Sequence, residues 1–393
     1  MTASDAFDSW WAELAPVGRS GAGGYRRFAW TAEDALLREW FTGAATSLGL
    51  DVVLDRSGNA WAWWGDPDAH GPGLVIGSHL DSVPEGGAFD GPLGVVSSLV
   101  AVQLLQQKGF QPARPIGVAM FGDEEGARFG IACAGSRLLT GALDPDRARS
   151  LRDGDGTSMA EAMSGAGFDP RQVGRDDEAL RRIGTFVELH VEQGKGLVDA
   201  GRPVAVGSGI WPHGRWRFDL EGRADHAGTT RLRDRSDPML DLSRLITEAR
   251  SSAERNDALA TVGKVAVSPN AVNAIPSHVT AWLDCRADEE AAVRAVLTDL
   301  RGFGPAEESW TARTAFHAGL QNELASLLGA PVLATGAGHD AGVLANAGVP
   351  TSMLFVRNPT GVSHSPHEHA ERDDCLAGID ALSKVVEQLA GRP

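Results

Sequence analysis

Apolar and polar positions along the chain change period in blocks. Residues 31–48 open on Thr31, with an acid three positions on at Asp34, and then carry apolar side chains at helical spacing, which predicts a capped amphipathic helix. Residues 52–54 and 60–64 read as short strands. Residues 74–78 form a continuous apolar run, the mark of a strand buried on both faces, and lead into His79-Leu80-Asp81. A Gly/Pro-rich loop follows, then a helix over about 93–108. A second buried strand, over 116–121, runs into Gly122-Asp123-Glu124-Glu125-Gly126. A third ends at His190, and a fourth, over 351–356, precedes the loop of His364. Strand, loop and helix in alternation predict an α/β sheet with helices on its faces.

The middle of the chain has a different rhythm. Strands over 215–220, 260–267 and 279–286 bracket helices over 238–255 and 289–300. That β-α-β-β-α-β order suits a small ferredoxin-like α+β domain. The expected organisation is therefore a first segment at 1–208, an inserted domain at 209–316 and a second segment at 317–393. In the second segment the α/β alternation resumes over 320–328, 331–335, 340–347 and 351–356, and a helix over 375–390 ends it. Trp61, Trp63 and Trp64 fall in a strand and read as packing.

Composition narrows the function. With 42% hydrophobic and 22% charged residues in 393, the chain has the make-up of a globular protein of about two domains. Its net charge is 36 − 52 = −16, which gives no footprint for a phosphate backbone and argues against a nucleic-acid partner. An anionic substrate then requires a local cationic pocket. Cys133, Cys285 and Cys375 are odd in number and widely separated, so they form neither a disulfide framework nor a Cys-x-x-Cys zinc site. There is no basic, apolar leader, and the most apolar stretch, 94–105, is too short to span a bilayer. The expectation is a cytoplasmic protein with no membrane partner.

Chemistry gathers at the ends of the buried strands. His79 and Asp81 share one face at a strand's C-terminal end, where open α/β sheets bind ligands, and a carboxylate there can orient the imidazole. Asp90 follows in a turn with Gly86, Gly87 and Gly91. Glu124 and Glu125 read either as solvated helix-start acids or as one metal ligand and one proton carrier. His190 and His364, taken singly, read as packed or surface residues. Together, four strand ends bearing His or carboxylate and no Cys suit Zn, Mn, Co or Ni.

His79-x-Asp81, Gly87-x-x-Asp90-Gly91, Glu124-Glu125-Gly126, Glu188-Leu189-His190-x-Glu192-Gln193-Gly194, His226-Ala227-Gly228-Thr229-Thr230 and Ser363-His364-x-Pro366 occur in order. In these motifs, from Arg27 to the last helix, the chain resembles the hydantoinase/carbamoylase amidohydrolases, within the aminoacylase-like dinuclear metallopeptidases. The resemblance implies a phosphorylase/hydrolase-like metal-binding domain carrying the inserted α+β domain as a lid and dimerisation element. It implies two divalent metal ions per subunit: His79 and His190 on one, Glu125 and His364 on the other, and Asp90 bridging. Asp81 then orients His79, and Glu124 is the general base. Gln193 contacts the ureido or acid part of the substrate, and His226 reaches the scissile carbonyl, often from the partner subunit of a homodimer. Asn273 and Arg286 grip a carboxylate, Arg286 supplying the positive charge that the chain lacks overall. Gly338-His339-Asp340 lines the site.

The implied reaction is hydrolysis of the carbamoyl amide of an N-carbamoyl-L-amino acid, with allantoate close behind. An aminoacylase or dipeptidase, or a binding protein that keeps the fold, are the rivals. The sequence departs from the pattern at Arg231, where many members have Pro. Arg357 reads either as a substrate contact or as a loop cation.

Overall fold

The computed structural model describes residues 2–392. They form two compact units: the chain up to Gly209 together with the chain from Ala315 onward, and the intervening Ile210–Thr314.

In the first unit, strands Ile116–Phe121, Gly73–His79, Ile183–Val191 and Thr351–Val356 lie side by side in that order and run parallel. Every residue of Gly73–His79, Ile116–Phe121 and Thr351–Val356 is buried, the physical reason their sequences are unbroken apolar runs. Strands Ala60–Trp64 and Asp51–Leu54 continue the sheet antiparallel. Trp61 and Trp63 are buried within it, and Trp61 packs edge-on to Phe121. Helix Pro92–Gln107 lies against Gly73–His79 and Ile183–Val191, and against helix Arg372–Ala390. It is apolar nearly all round because it is covered nearly all round. Truncating its fully buried Leu99 to Ala is worth about 2–5 kcal/mol of stability. Thr31 caps helix Ala32–Ser47 by accepting from the N–H of Asp34. Helix Ala3–Leu14, closed by a Thr2/Asp5 capping box, was not anticipated from the sequence.

Parallel strands bring their C-terminal ends to one edge. His79 is in register with Phe121, and His190 with Phe355, so the segments after these residues emerge together.

The second unit is a four-stranded antiparallel sheet in the order Ala306–Thr311, His213–Glu221, His278–Ala287, Ala258–Ser268. Helices Pro238–Arg255 and Glu290–Asp299 share its apolar core with Phe218, Leu220, Val279 and Leu283. Burial alternates strictly along His213–Glu221 and His278–Ala287, which leaves one sheet face for the helices. The strand Ala306–Thr311 escapes sequence reading because it is a polar, exposed edge. A two-residue ladder, Asp225–His226 with Ala274–Ile275, stands apart from the main sheet.

Candidate active site

In the first unit the strand ends and the loops that follow them bring five possible ligands to one place. Nε2 of His79 lies 3.5 Å, and Nε2 of His190 3.1 Å, from Oδ1 of Asp90. Nε2 of His364 lies 3.6 Å from the other oxygen of Asp90, Oδ2, and 3.6 Å from Oε2 of Glu125. Donor atoms of His79, Asp90 and His190, and of Asp90, Glu125 and His364, each fall within 4.8 Å of one another. The two triads thus share Asp90. Asp90 enters just ahead of helix Pro92–Gln107 through Gly91, whose φ of 85° favours glycine and where an added Cβ would lie 2.4 Å from the His79 ring. His364 itself takes a φ of 54°, a conformation few non-glycine residues adopt outside special sites.

The imidazole tautomers test whether this set fits a cation. Nδ1 of His79 is 3.1 Å from the carbonyl oxygen of Asp81, and Nδ1 of His190 is 2.8 Å from that of Val191. A carbonyl only accepts, so each ring keeps a proton on Nδ1 and leaves Nε2, which faces a carboxylate, for a metal ion or a second proton. Both Nε2 atoms are buried without a hydrogen-bond partner. Lone pairs facing carboxylate oxygens repel unless positive charge sits between them. The surrounding field favours such charge. Burial opposes a charged His79, yet Glu124, Asp81 and Asp90 outweigh it and hold its pKa well above the usual value. The carboxyls respond in kind. Burial, then repulsion from Asp90, pushes Glu125 up to about 8. Burial, then Asp340 and Glu125, pushes Glu124 well above the ordinary range. These residues fit divalent ions of the kind that take His nitrogen and carboxylate oxygen.

Neighbouring groups hold this arrangement. The carboxylate of Asp81 accepts from the N–H groups of Glu124 (3.1 Å) and Glu125 (3.0 Å), and its Oδ1 stands 3.5 Å from Nδ1 of His79. Asp81 therefore fixes the Glu124–Glu125 backbone, while its own carbonyl makes the shorter contact to the ring. Glu124 is buried, with Oε2 3.7 Å from Nε2 of His79 and Oε1 accepting from the thiol of Cys133 at 3.2 Å. Nε2 of Gln193 donates to Asp90 Oδ2 at 2.8 Å.

Two contacts lay beyond the sequence reading, and a third places the ring of the Gly338-His339-Asp340 motif. Cys133 contacts Glu124. Glu368 binds the backbone around Asp90. The buried ring of His339 packs edge-on to His190, with centroids 4.4 Å apart and both nitrogens unpartnered. Glu188, His190 and His339 also converge, but Glu188 already accepts from Ser78 and the N–H of Ala341, and Nε2 of His190 faces Asp90. Arg357 makes a two-pronged pair with Asp374 at 2.9 and 3.0 Å, tying its loop to the last helix.

His226, Asn273 and Arg286 belong to the second unit. His226 and Asn273 stand together at the small ladder, where the N–H of Ala227 donates to the carbonyl of Asn273 at 3.0 Å. Nδ1 of His226 accepts from the N–H of Gly228 at 3.0 Å, which leaves the ring proton on Nε2 and makes the exposed edge a donor. Arg286 lies near the far end of strand His278–Ala287, where it pairs with Asp284 at 2.6 and 3.0 Å. Arg231, the departure in the His226 loop, pairs with Asp234 at 2.5 Å.

A sequence profile of peptidase family M20/M25/M40 matches residues 75–388. The chain belongs to this family. An N-carbamoyl-L-amino acid amidohydrolase from Geobacillus stearothermophilus is 36% identical over 404 residues, covering 96% of each chain. An allantoate amidohydrolase from Bacillus subtilis is 32% identical over 403 residues, covering 96% of this chain and 95% of that one. The crystal structure of a hydantoinase/carbamoylase family amidase from Burkholderia vietnamiensis matches with a TM-score of 0.87 at 29% identity, covering 100% of this chain and 98% of that chain. The M20/M25/M40 chain is thus a metal-dependent amidohydrolase, a hydrolase of C–N amide bonds with a mixed α/β fold. Among its described residues, no helix is long and apolar enough to cross a membrane.

Proposed function

We propose that the chain hydrolyses the carbamoyl amide of N-carbamoyl-L-amino acids, giving amino acid, ammonia and carbon dioxide, as a cytoplasmic homodimer with two divalent ions per subunit. The observation that carries the dinuclear reading is the pair of triads sharing Asp90. Zn is the first choice of metal, with Mn, Co or Ni as alternatives. Bound there, the ions supply Lewis acidity toward a carbonyl oxygen and a lowered pKa for water.

The protein's own residues do the rest. Glu124 is placed to take a proton from the attacking water and return it to the leaving nitrogen, its orientation held by Cys133 and by the clamp of Asp81 on its backbone. His226 presents its Nε2–H to the carbonyl oxygen as negative charge develops. Gln193 meets the ureido group, and Asn273 and Arg286 meet the carboxylate. The amine leaves, and the carbamate decays to ammonia and carbon dioxide.

The layout of the second unit supports a dimer. From His278, beside the His226 ladder, to Arg286 is eight residues of extended strand, about 26 Å. A small ureido acid does not bridge that separation, so one substrate takes His226 and Asn273 from one copy and Arg286 from another. The edge strand Ala258–Ser268 exposes Leu259 and Val265, and helix Pro238–Arg255 exposes Leu240 and Ile246, apolar surface suited to a second copy of the chain. In this reading the second unit is the lid and dimerisation domain.

Steady-state assays of metal-stripped and reconstituted protein on N-carbamoyl-L-amino acids, allantoate, N-acetyl-amino acids and dipeptides test the proposal. Carbamoyl acids are expected to give the highest kcat/KM. The allantoate-acting relative makes allantoate the second reading. Turnover of acetyl or peptide substrates alone would leave an aminoacylase or dipeptidase, and no turnover with any metal would leave a binding protein.

A further inference from the structure

Glu368 belongs to none of the motifs above, yet it joins two of them. Its side chain is 5% exposed. Oε1 accepts from the N–H groups of Phe89 and Asp90, both at 2.9 Å. Oε2 is 3.1 Å from Oγ of Ser363, which lies 3.1 Å from Oδ2 of Asp90 and 3.2 Å from Nε2 of Gln193. The backbone cooperates: Glu368 donates its own N–H to the carbonyl of Ser365, closing the His364 loop beneath it. On the far side Gly87 makes room, since a Cβ there would come within 2.3 Å of Oε1. One buried carboxylate thus fastens residues 87–90 to residues 363–368, segments 278 positions apart in sequence.

We propose that Glu368 is a positioning residue that sets the backbone of Asp90 and the loop of His364 in register before metal arrives. This rests on the reading of Asp90 and His364 as ligands. Oε1 of Glu368 carries two N–H donors, Oε2 faces the single hydroxyl of Ser363 that Asp90 also faces, and neither triad includes Glu368, so it is not a further ligand. It holds Asp90 from the backbone side and leaves that residue's carboxylate for the ions. Because both triads use Asp90, a small displacement of its backbone degrades both at once. Two N–H groups on one carboxylate are charge-assisted bonds, strong enough to fix a short Gly-rich turn that otherwise has little to order it.

The test compares wild type, Glu368→Ala and Glu368→Gln as full-length protein. Zn2+ affinity is measured by competition with a chromophoric chelator, and amide exchange at residues 89 and 90 on the metal-free protein. For Glu368→Ala, Zn2+ affinity should fall by ~10–100-fold, the usual cost of losing a group that orients a ligand. Exchange at both amides should quicken, and kcat should fall more than KM rises. Glu368→Gln should restore most of the affinity and protection, because its amide oxygen accepts the same two bonds. If Glu368→Ala does not fold, Gly87→Ala loads the same carboxylate from the other side and should weaken Zn2+ binding in the same direction. Wild-type affinity and slow exchange in Glu368→Ala would overturn the positioning role, as would a Gln variant as impaired as the Ala one. Wild type that binds no Zn2+, Mn2+, Co2+ or Ni2+ would instead overturn the metal reading beneath it.

Discussion

His79 and His190 sit at the ends of buried parallel strands, covered on all sides, and turn Nε2 toward Asp90 with no hydrogen-bond partner. His226 and Asn273, in the second unit, are exposed, and their loop is satisfied within itself by Gly228, Thr230 and Arg235. Arg286 likewise rests on Asp284. The first set is incomplete without a cation, whereas the second is complete as a local structure and presents donors outward. A core that fixes four strand ends gives rigid placement to the groups assigned to the chemistry in the proposed reading. A loop held by a few local bonds tolerates change, and there a substrate preference can drift while the reaction stays the same.

The sharpest way to break this contrast is Asp90→Ala, which removes the one donor common to both triads. Both ions should be lost on dialysis and turnover should drop by at least ~10³-fold, as expected when the ions themselves supply much of the rate. Metal analysis showing two ions retained would separate Asp90 from the bridging role. Glu124→Gln should differ in kind: metal content stays, KM moves little, and kcat falls by ~10²–10⁴-fold, the usual range for a lost acid–base group. Unchanged kcat would remove Glu124 from the reaction, and lost metal would make it a ligand.

The same contrast explains what could be read in advance. Strands such as Ile116–Phe121 and Thr351–Val356 announce themselves because burial on both faces forces an unbroken apolar run, and the polar residue that ends the run is then conspicuous. His79, Glu124, Glu125 and His190 were visible in that way. His364 and Asp90 lie on loops beyond their strands; the residue pattern drew them to the site, and the resemblance of their motifs gave them their separate roles. Glu368 was hidden because its task is to accept from backbone N–H groups 278 positions away, a contact that leaves no local pattern. Cys133 reaches Glu124 from the start of helix Ala134–Thr140 and reads in sequence as a small apolar residue. The polar edge strand Ala306–Thr311 failed for the opposite reason: its first four residues are exposed and only Trp310 packs on the core, so its alternation carries no signal.

The second unit should respond to substitution in binding rather than in metal content. Arg286→Lys, which loses the planar fork, should lower kcat/KM by ~10–100-fold through KM with both ions retained. An effect confined to kcat would place Arg286 elsewhere in the reaction. The two-copy arrangement gives a sharper version. His226→Ala and Arg286→Ala should each be nearly inactive alone, but unfolded together and co-refolded they should recover about one quarter of wild-type activity, because half of random dimers are mixed and each mixed dimer holds one intact site. No recovery, with mixed dimers demonstrated, would mean that one copy supplies both groups.

The smallest effect lies in how pH acts on the metal-free protein, and its sign distinguishes a cation site from an ordinary polar cluster. Burial, then Asp90, holds Glu125 at about 8; burial, then Glu188, holds Asp340 at about 8; burial, then Asp90, holds Glu368 at about 7. Each folded-state value exceeds the unfolded one near 4, so between those limits the folded protein binds more protons than the unfolded chain. That stability is fully present below the unfolded pKa and is lost as pH rises through 7 and 8. The raised values of His79 and His190 act in the same direction; the depressed values of His213 and His339 oppose it only around the unfolded histidine value near 6.5, and the depressed value of Asp90 matters only at much lower pH. Metal-free protein should therefore melt at lower temperature at pH 8 than at pH 6, and Zn2+ should flatten or reverse the trend by supplying the missing positive charge. Thermal melts at pH 6, 7 and 8, with chelator and with Zn2+, measure both slopes. A metal-free Tm that rises from pH 6 to 8 would mean that the cluster carries its negative charge without difficulty, and the contrast between an incomplete first unit and a self-sufficient second would lose its electrostatic basis.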